Sequence, residues 1–325
     1  MAQNTNQKDD LINSAARILG ININGVRTLL VYADLNGLIY ERLQINTPPH
    51  QPFLNAFEII LNSAEKLLAL TQAQHLPGPS AISLAISGDL DTDRGVLVSA
   101  PDLPEWKSAP VKGRLAMHFN LPVYIEQEAN AGGVAEFYFG AGQEFSNIVF
   151  ISMEPTVRTG IISDGIVFRS PGGYAGNLGE INMAEFGPAG YGLSGSLNGF
   201  ASASGIVELA HLRFPHTWPA DLDVYKLIAY ARDGDINARK IFAESGKWLG
   251  KGLCPLVRLL HPEIMIIGNP GCLLEDDMLK PARIALQEAT NLPVQTMPPL
   301  VPAKLGPRLP EMSALAAAIN AFRHQ

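Results

Sequence analysis

The chain repeats one arrangement of strands and turns, and this repeat limits the folds open to it. Residues 18–45 contain three short apolar runs joined by turns, the first of them at Asn24-Gly25. Asn-Gly between alternating apolar runs predicts a hairpin, because both residues accept a positive φ. Residues 147–169 repeat this plan, and the second run of each copy begins with Val-Arg-Thr. The repeat therefore predicts two related domains.

Helical patterns fill the intervals between the predicted strands. Apolar residues recur at helical spacing over 53–70, and the short apolar run 81–87 predicts a buried strand. Further helices are predicted at 199–213, 222–233 and 235–260, and a further strand at 263–268. Strand triplets followed by helices, duplicated once, predict two α/β domains facing each other across a cleft. The predicted organisation is a polar N-terminal tail over 1–17, a first domain over 18–125 plus 305–325, and a second domain over 126–304.

Composition excludes several classes of partner. The 325 residues carry a net charge of −7 with scattered Lys and Arg, so nothing favours a nucleic-acid surface. No apolar run approaches the roughly 18–20 residues that span a bilayer. Cys254 and Cys272 match no metal or redox spacing. A reduced, cytoplasmic compartment is the expectation.

Three segments carry a family resemblance. They are G-D-L-D-T-D-R-G-V-L-V-S-A-P-D-L-P-E-W (88–106), L-P-V-Y-I-E-Q-E-A-N-A (121–131) and H-P-E-I-M-I-I-G-N (261–269). Together with the repeat, they resemble the ROK family, which groups bacterial sugar kinases with sugar-responsive repressors, over about residues 18–320. The resemblance implies a duplicated actin-like (ribonuclease-H-like) ATPase fold. It also implies phosphoryl transfer from ATP to a sugar, which needs a carboxylate base and Gly-rich turns for the phosphates and their metal ion.

The base and the sugar ligands are altered relative to that family. Glu128 stands where the family has its catalytic Asp, and Gln127 stands where it has a sugar-binding Asn. A displacement of about 1 Å can cost roughly 100-fold in rate. The alternative is that both residues are solvated at the start of a helix, where an acid is favoured by the helix dipole. With Gly88, Glu180 and Asn198, they form the candidate sugar site.

The phosphate turns are altered more strongly. In the first turn, Asn22 replaces the metal-facing acid and Val26 replaces a hydroxyl, whereas Gly25 is kept. The second turn reads E-P-T-V-R-T-G (154–160), in which Pro155 removes a backbone donor and Glu154 places a negative charge near the phosphate. Arg158 could pair with a phosphate, but its strand position favours a surface arginine. The degenerate nucleotide-binding positions are Asn24, Gly25, Thr159, Gly160 and Gly268.

The family's zinc motif is also replaced. Its His in Gly-Glu-x-Gly-His and its three Cys match Met183, Ala189, Tyr191 and Ser196, none of which is a typical zinc ligand. Glu180 matches the sugar-binding Glu of that motif, and the Glu that ends the Cys loop is Asn198. We therefore expect no zinc, and a loop over 183–198 that is held by packing alone.

These replacements favour a non-catalytic sugar-binding or regulatory protein over an enzyme. The alternative is an ATP- and Mg²⁺-dependent hexose or N-acylhexosamine kinase with Glu128 as base, and a third possibility is a structural subunit that pairs with an intact homologue. The expected ligand is a small sugar or polyol, and the family resemblance implies a homo-oligomer. About seventeen residues precede the first strand, too few for a three-helix DNA-binding unit, so we expect no direct DNA binding.

Overall fold

The predicted strand triplet opens the first of two compact units. A computed structural model describes residues 16–25, 27–47 and 50–324. The first unit comprises the chain up to Ala135, Arg169–Tyr174, and the chain from Pro307 onward; the second comprises Glu136–Phe168 and Ala175–Gly306. Residues 1–15 of the predicted tail lie outside the described residues.

The first unit is built on a five-stranded sheet of order β3-β2-β1-β4-β7. Its strands, with the hairpin β5-β6, are β1 (Arg17–Asn24), β2 (Arg27–Asp34), β3 (Ile39–Asn46), β4 (Ala81–Ile86), β5 (Asp89–Asp91), β6 (Val96–Ser99) and β7 (Val123–Gln127). The first three strands are antiparallel, whereas β4 runs parallel to β1 and β7 runs parallel to β4. Strands β1 and β4 are buried along most of their length, which explains their continuous apolar sequences.

The second unit repeats that topology in the order β10-β9-β8-β11-β12. Its strands are β8 (Ile148–Ser152), β9 (Arg158–Ser163), β10 (Ile166–Val167), β11 (Ile264–Ile267) and β12 (Leu300–Pro302). Again the first three are antiparallel, β11 runs parallel to β8, and β12 runs parallel to β11. The predicted duplication is therefore confirmed strand by strand.

Helices cover both sheets. The helices are α1 (Phe53–Ala73), α2 (Val111–Phe119), α3 (Glu128–Phe139), α4 (Leu197–Ala201), α5 (Ala203–Arg213), α6 (Val224–Arg232), α7 (Ile236–Leu260), α8 (Lys280–Thr290) and α9 (Leu309–Arg323). The single helix predicted over 199–213 is wrong. Ser202 is extended there, and its hydroxyl accepts a hydrogen bond from the Gly205 amide, so it ends α4 and caps α5. In the described ranges, no helix is both long and apolar enough to cross a membrane.

The boundary between the units differs from the predicted one at residue 126. Strand β7 pairs with β4 in the first sheet, so it stays with the first unit, and the boundary falls inside α3 after Ala135. The segment 169–174 also belongs to the first unit, although it follows β10 of the second. A sequence pattern does not show this exchange, because the segment is held by contacts with residues far away in the chain.

Candidate functional site

Gln127 and Glu128 lie at the junction of β7 and α3. Gln127 is buried, and its Oε1 accepts hydrogen bonds from the Ala129 amide at 2.8 Å and the Asn130 amide at 3.3 Å. It therefore caps the helix, as a polar side chain commonly does at this position. Glu128 is partly exposed in the first turn of α3, where the helix dipole favours a carboxylate. Gln127 is thus not a solvated residue, and part of its amide is engaged in structure.

Glu126 is a buried carboxylate that sequence reasoning missed. Its side chain is 2% exposed, and its Oε2 accepts from Arg169 Nε at 3.0 Å and from Nη2 at 2.5 Å. Its Oε1 accepts from Asn130 Nδ2 at 3.0 Å and from the Gln127 amide at 3.1 Å. A carboxylate inside a buried strand must find a partner, but no strand was predicted at 123–127, so nothing marked this acid as buried.

Gly88 leads from β4 into β5. Its φ of +106° is in the region that favours glycine, and a Cβ there would collide with the Ser99 carbonyl. The close approach of β6 therefore accounts for this glycine. Its role in sugar binding stays a prediction.

The first predicted phosphate turn is occupied by internal contacts. Asn22 is 4% exposed and donates through Nδ2 to the Pro310 carbonyl at 3.2 Å. Asn24 is the last residue of β1, and Gly25 follows with a φ of +45°. A Cβ at Gly25 would collide with the carboxylate of Asp102, so that acid lies directly against the turn. Val26 lies outside the described residues.

Asp102 is held in place by a hydroxyl. Ser87 Oγ donates to Asp102 Oδ2 at 2.8 Å. Asp102 belongs to the Ala-Pro-Asp-Leu part of the 88–106 segment, which resembles a ROK family pattern that reads Ala-Pro-Asn-Leu. The change from amide to carboxylate therefore puts a negative charge beside the first phosphate turn.

The second turn connects β8 and β9 around Glu154 and Pro155. Ser152 Oγ donates to the Glu154 carbonyl at 3.1 Å. The prediction of a surface arginine at position 158 is wrong: Arg158 is 6% exposed, and its Nε donates to Thr156 Oγ1 at 3.2 Å. The buried guanidinium at the start of β9 therefore holds the turn through Thr156.

The other predicted nucleotide positions lie in the second sheet or directly after one of its strands. Thr159 donates its amide to the Gly176 carbonyl at 2.8 Å, and Gly160 lies opposite Phe150 in the β8-β9 ladder. The Gly268 amide donates to the Ile151 carbonyl at 2.8 Å. The backbone donors of Thr159 and Gly268 are thus already used. Nucleotide binding at these positions stays a prediction.

Asn198 and Glu180 come together in the second unit. Asn198 is 1% exposed, and its Oδ1 accepts from the Val157 amide at 2.7 Å. Its Nδ2 lies 3.4 Å from Oε1 of Glu180, which is exposed. Asn198 therefore fixes the end of the second phosphate turn, while the Glu180 carboxylate faces solvent.

Two glycines three positions apart are required by packing around this pair. A Cβ at Gly176 would collide with the Thr159 carbonyl, and a Cβ at Gly179 would collide with the Asn198 amide. The family motif Gly-Glu-x-Gly-His also has two glycines three apart. The packing therefore favours a register in which Gly176 and Gly179 are those glycines and Glu180 stands at the His.

The loop over 183–198 is held by more than packing, which corrects that expectation. A carboxylate oxygen of Glu208 accepts from the Gly190 amide at 2.8 Å and from the Ala189 amide at 3.1 Å. The Met183 amide donates to the Gly195 carbonyl at 2.9 Å. Sequence reasoning missed Glu208, because it lies on α5 outside the motif.

The residues at the predicted zinc positions do not suit that metal. Ser196 Oγ caps α4 by accepting from the Gly199 amide, Tyr191 is exposed, and Met183 packs against the core. Across 16–25, 27–47 and 50–324, no three His, Cys, Asp or Glu side chains form a metal-sized group. The predicted lack of zinc is a matter for measurement.

The family follows from comparison with known proteins. The sequence profile of the ROK family matches residues 18–320. The chain belongs to the ROK family. Its duplicated α/β topology is therefore the actin-like ATPase fold of that family, as predicted.

The relatives include both regulators and kinases. The chain is 26% identical to a xylose repressor of Caldicellulosiruptor bescii over 83% of this chain and 70% of that protein. It is 24% identical to a glucokinase of Halalkalibacterium halodurans over 82% of this chain and 83% of that protein.

Two similar solved structures are likewise one regulator and one kinase. A ROK family transcriptional regulator, a homologue of the Escherichia coli Mlc protein, superposes with a TM-score of 0.83 at 22% identity, covering 95% of this chain and 80% of that one. A ROK family glucokinase from Streptomyces griseus, in complex with glucose and AMPPNP, gives a TM-score of 0.78 at 25% identity, covering 94% and 99%. Family membership therefore leaves both classes of function open.

Proposed function

We propose that this ROK protein is a non-catalytic sugar-binding or regulatory module. The observation that carries the proposal is the Asp102 carboxylate against Gly25 in the first phosphate turn. Two like charges about 4 Å apart repel by roughly 4 kcal/mol at an effective dielectric of about 20. That repulsion offsets about half of a micromolar affinity for ATP.

The second phosphate turn adds to this effect. Glu154 contributes another acid, and Pro155 has no amide hydrogen to offer a phosphate. Asn22, at the position of the metal-facing acid, is neutral and bonded to the Pro310 carbonyl. Neither turn therefore suits Mg²⁺-ATP.

Sugar binding is supported by polar groups in each unit. The first unit offers Gly88, Gln127 and Glu128, and the second offers Glu180 and Asn198. Several convergent donors and acceptors are what a sugar requires. In the register favoured by glycine packing, Glu180 takes the place of the family's His, and Asn177 takes the place of its sugar-binding Glu. We therefore add Asn177 to the candidate ligands and expect altered sugar specificity.

The alternative is a sugar kinase with Glu128 as base. A carboxylate in the first turn of α3 and the glucokinase relatives favour it. A kinase would also have to bind the ATP phosphates beside the Asp102 carboxylate, in addition to having a working base. This requirement makes the two candidates separable by experiment.

The test is a binding and turnover panel on the purified chain. We expect a thermal shift with at least one sugar at millimolar concentration, no titration heat with Mg²⁺-ATP, and no turnover in a coupled assay over hexoses and amino sugars. Glu180→Ala and Glu128→Ala should each remove the sugar shift, whereas Glu144→Gln, a change at an exposed carboxylate, serves as the control.

Two results would change the proposal. Phosphorylation of any sugar at about 1 s⁻¹ or faster, abolished by Glu128→Gln, would establish the kinase alternative. Absence of any shift across the panel would favour the third possibility, a structural subunit that pairs with an intact homologue. Light scattering on the same sample would test the expected homo-oligomer.

A further inference from the structure

Residues 169–174, here called the strap, join the first unit although both flanks belong to the second. Before the strap, the Phe168 amide donates to the Ile161 carbonyl. After it, the Gly176 carbonyl accepts from the Thr159 amide. The chain therefore leaves the second unit for six residues and returns just before Leu178–Glu180.

The strap is anchored at both ends. Near its end, Gly173 has a φ of +76°, and a Cβ there would collide with the Leu90 carbonyl in β5. At its beginning, Arg169 donates twice to one oxygen of Glu126, at 3.0 Å and 2.5 Å. Charge-assisted pairs with two hydrogen bonds are among the stronger polar contacts in proteins.

The anchoring carboxylate immediately precedes two candidate sugar ligands. Glu126 is followed by Gln127 and Glu128, and its second oxygen accepts from Asn130 Nδ2 and from the Gln127 amide. One buried carboxylate thus holds the strap with one oxygen and the β7-α3 junction with the other. Its charge needs Arg169, because a buried carboxylate without a cation is costly.

We propose that Arg169 is a positioning residue for the candidate sugar site. It keeps the Glu126 carboxylate oriented, and that carboxylate fixes the backbone and Asn130 around Gln127 and Glu128. The inference rests on the proposed function for its ligand, but the positioning itself is measurable without one. Without Arg169, the buried Glu126 carboxylate must turn toward water. The β7-α3 junction then loses the Glu126 oxygen that accepts from Asn130 and from the Gln127 amide.

The test combines amide hydrogen exchange with sugar affinity. In ligand-free protein, Arg169→Gln should raise exchange about tenfold at residues 127–130 and at the strap. The double variant Glu126→Gln/Arg169→Gln removes the buried charge and restores an acceptor for Asn130. It should recover protection at 127–130 but not at the strap. Arg213→Gln, which breaks a bidentate pair with Glu244 in the second unit, is the matched control and should change neither region.

Sugar affinity supplies the second readout. For any sugar that shifts the unmodified chain, Arg169→Gln should weaken binding about tenfold, and the double variant should recover most of it. If Arg169→Gln does not fold, Arg169→Lys, which keeps the charge but not the paired bonds, should show smaller changes in the same places.

Distinct results would overturn the two ideas. Faster exchange at the strap with unchanged exchange at 127–130 would show that Arg169 holds only the strap, and the positioning role would be wrong. If no sugar binds the unmodified chain, the proposed function fails. The exchange measurement still decides whether Arg169 positions the junction.

Discussion

Substitution of Asn198 tests whether this residue is mainly a structural clamp or mainly a ligand. Its Oδ1 accepts from the buried Val157 amide at 2.7 Å, and the side chain is 1% exposed. Asn198→Ala leaves that amide without its acceptor, which costs about 1–3 kcal/mol. The space left by the side chain adds to this, so we expect a loss of about 2–3 kcal/mol in the free energy of unfolding.

Asn198→Asp separates the two functions of the amide. An Asp keeps an oxygen for the Val157 amide, so the clamp survives. Its charge would replace an amide that is 1% exposed, and the Glu180 carboxylate lies beside it, so burying this charge without a cation should cost about 3–5 kcal/mol. The part of this cost that comes from repulsion by the exposed Glu180 should shrink as salt is raised from about 0.05 to 0.5 M, whereas the loss in Asn198→Ala should not.

The assay is urea unfolding followed by tryptophan fluorescence. Two of the three tryptophans, Trp218 and Trp248, lie in the second unit with Asn198. A loss below about 0.5 kcal/mol in Asn198→Ala would refute the clamp. A smaller loss in Asn198→Asp than in Asn198→Ala would refute the electrostatic reasoning. Loss of the sugar shift in a variant that stays folded would instead indicate that Asn198 is also a ligand.

Further predictions concern a buried acid, a thiol and zinc. Glu136 is buried and accepts hydrogen bonds from the amides of Ala141, Lys304 and Leu305. Glu136→Gln would set its NH₂ group against one of these amides, so we expect the free energy of unfolding in urea to fall by about 2–4 kcal/mol, nearly as much as in Glu136→Ala. A Glu136→Gln variant with nearly unchanged stability would contradict this. Burial raises the pKa of the Cys272 thiol to about 11, so at pH 8 iodoacetamide should alkylate it about 100-fold more slowly in native protein than in urea; equal rates would be contrary to the structure. Elemental analysis should find no stoichiometric zinc, since Ala189, Tyr191 and Ser196 replace the three cysteines and the single carboxylate of Glu180 cannot complete a four-ligand site; about one zinc per chain would contradict this expectation.

The sequence by itself determined the fold and the family. Apolar periodicity and Asn-Gly turns are local signals, and their duplication over 18–45 and 147–169 predicted the two equivalent sheets that the structure contains. The motifs around 88–106 and 121–131 indicated the ROK family, which the profile match confirms. The replaced residues in the phosphate turns were also readable, because a proline or an acid in such a turn has the same chemistry in any context.

Tertiary structure decided what the replaced residues contact. Arg158 is buried at the start of β9, the 169–174 segment belongs to the first unit, and Glu208 holds the loop that packing alone was expected to hold. Each of these depends on partners far apart in sequence, which periodicity does not encode. The glycine register at Gly176 and Gly179 likewise required the positions of the Thr159 carbonyl and the Asn198 amide. Local pattern fixes which element forms, whereas the identity of a buried polar group's partner is fixed only when the chain packs.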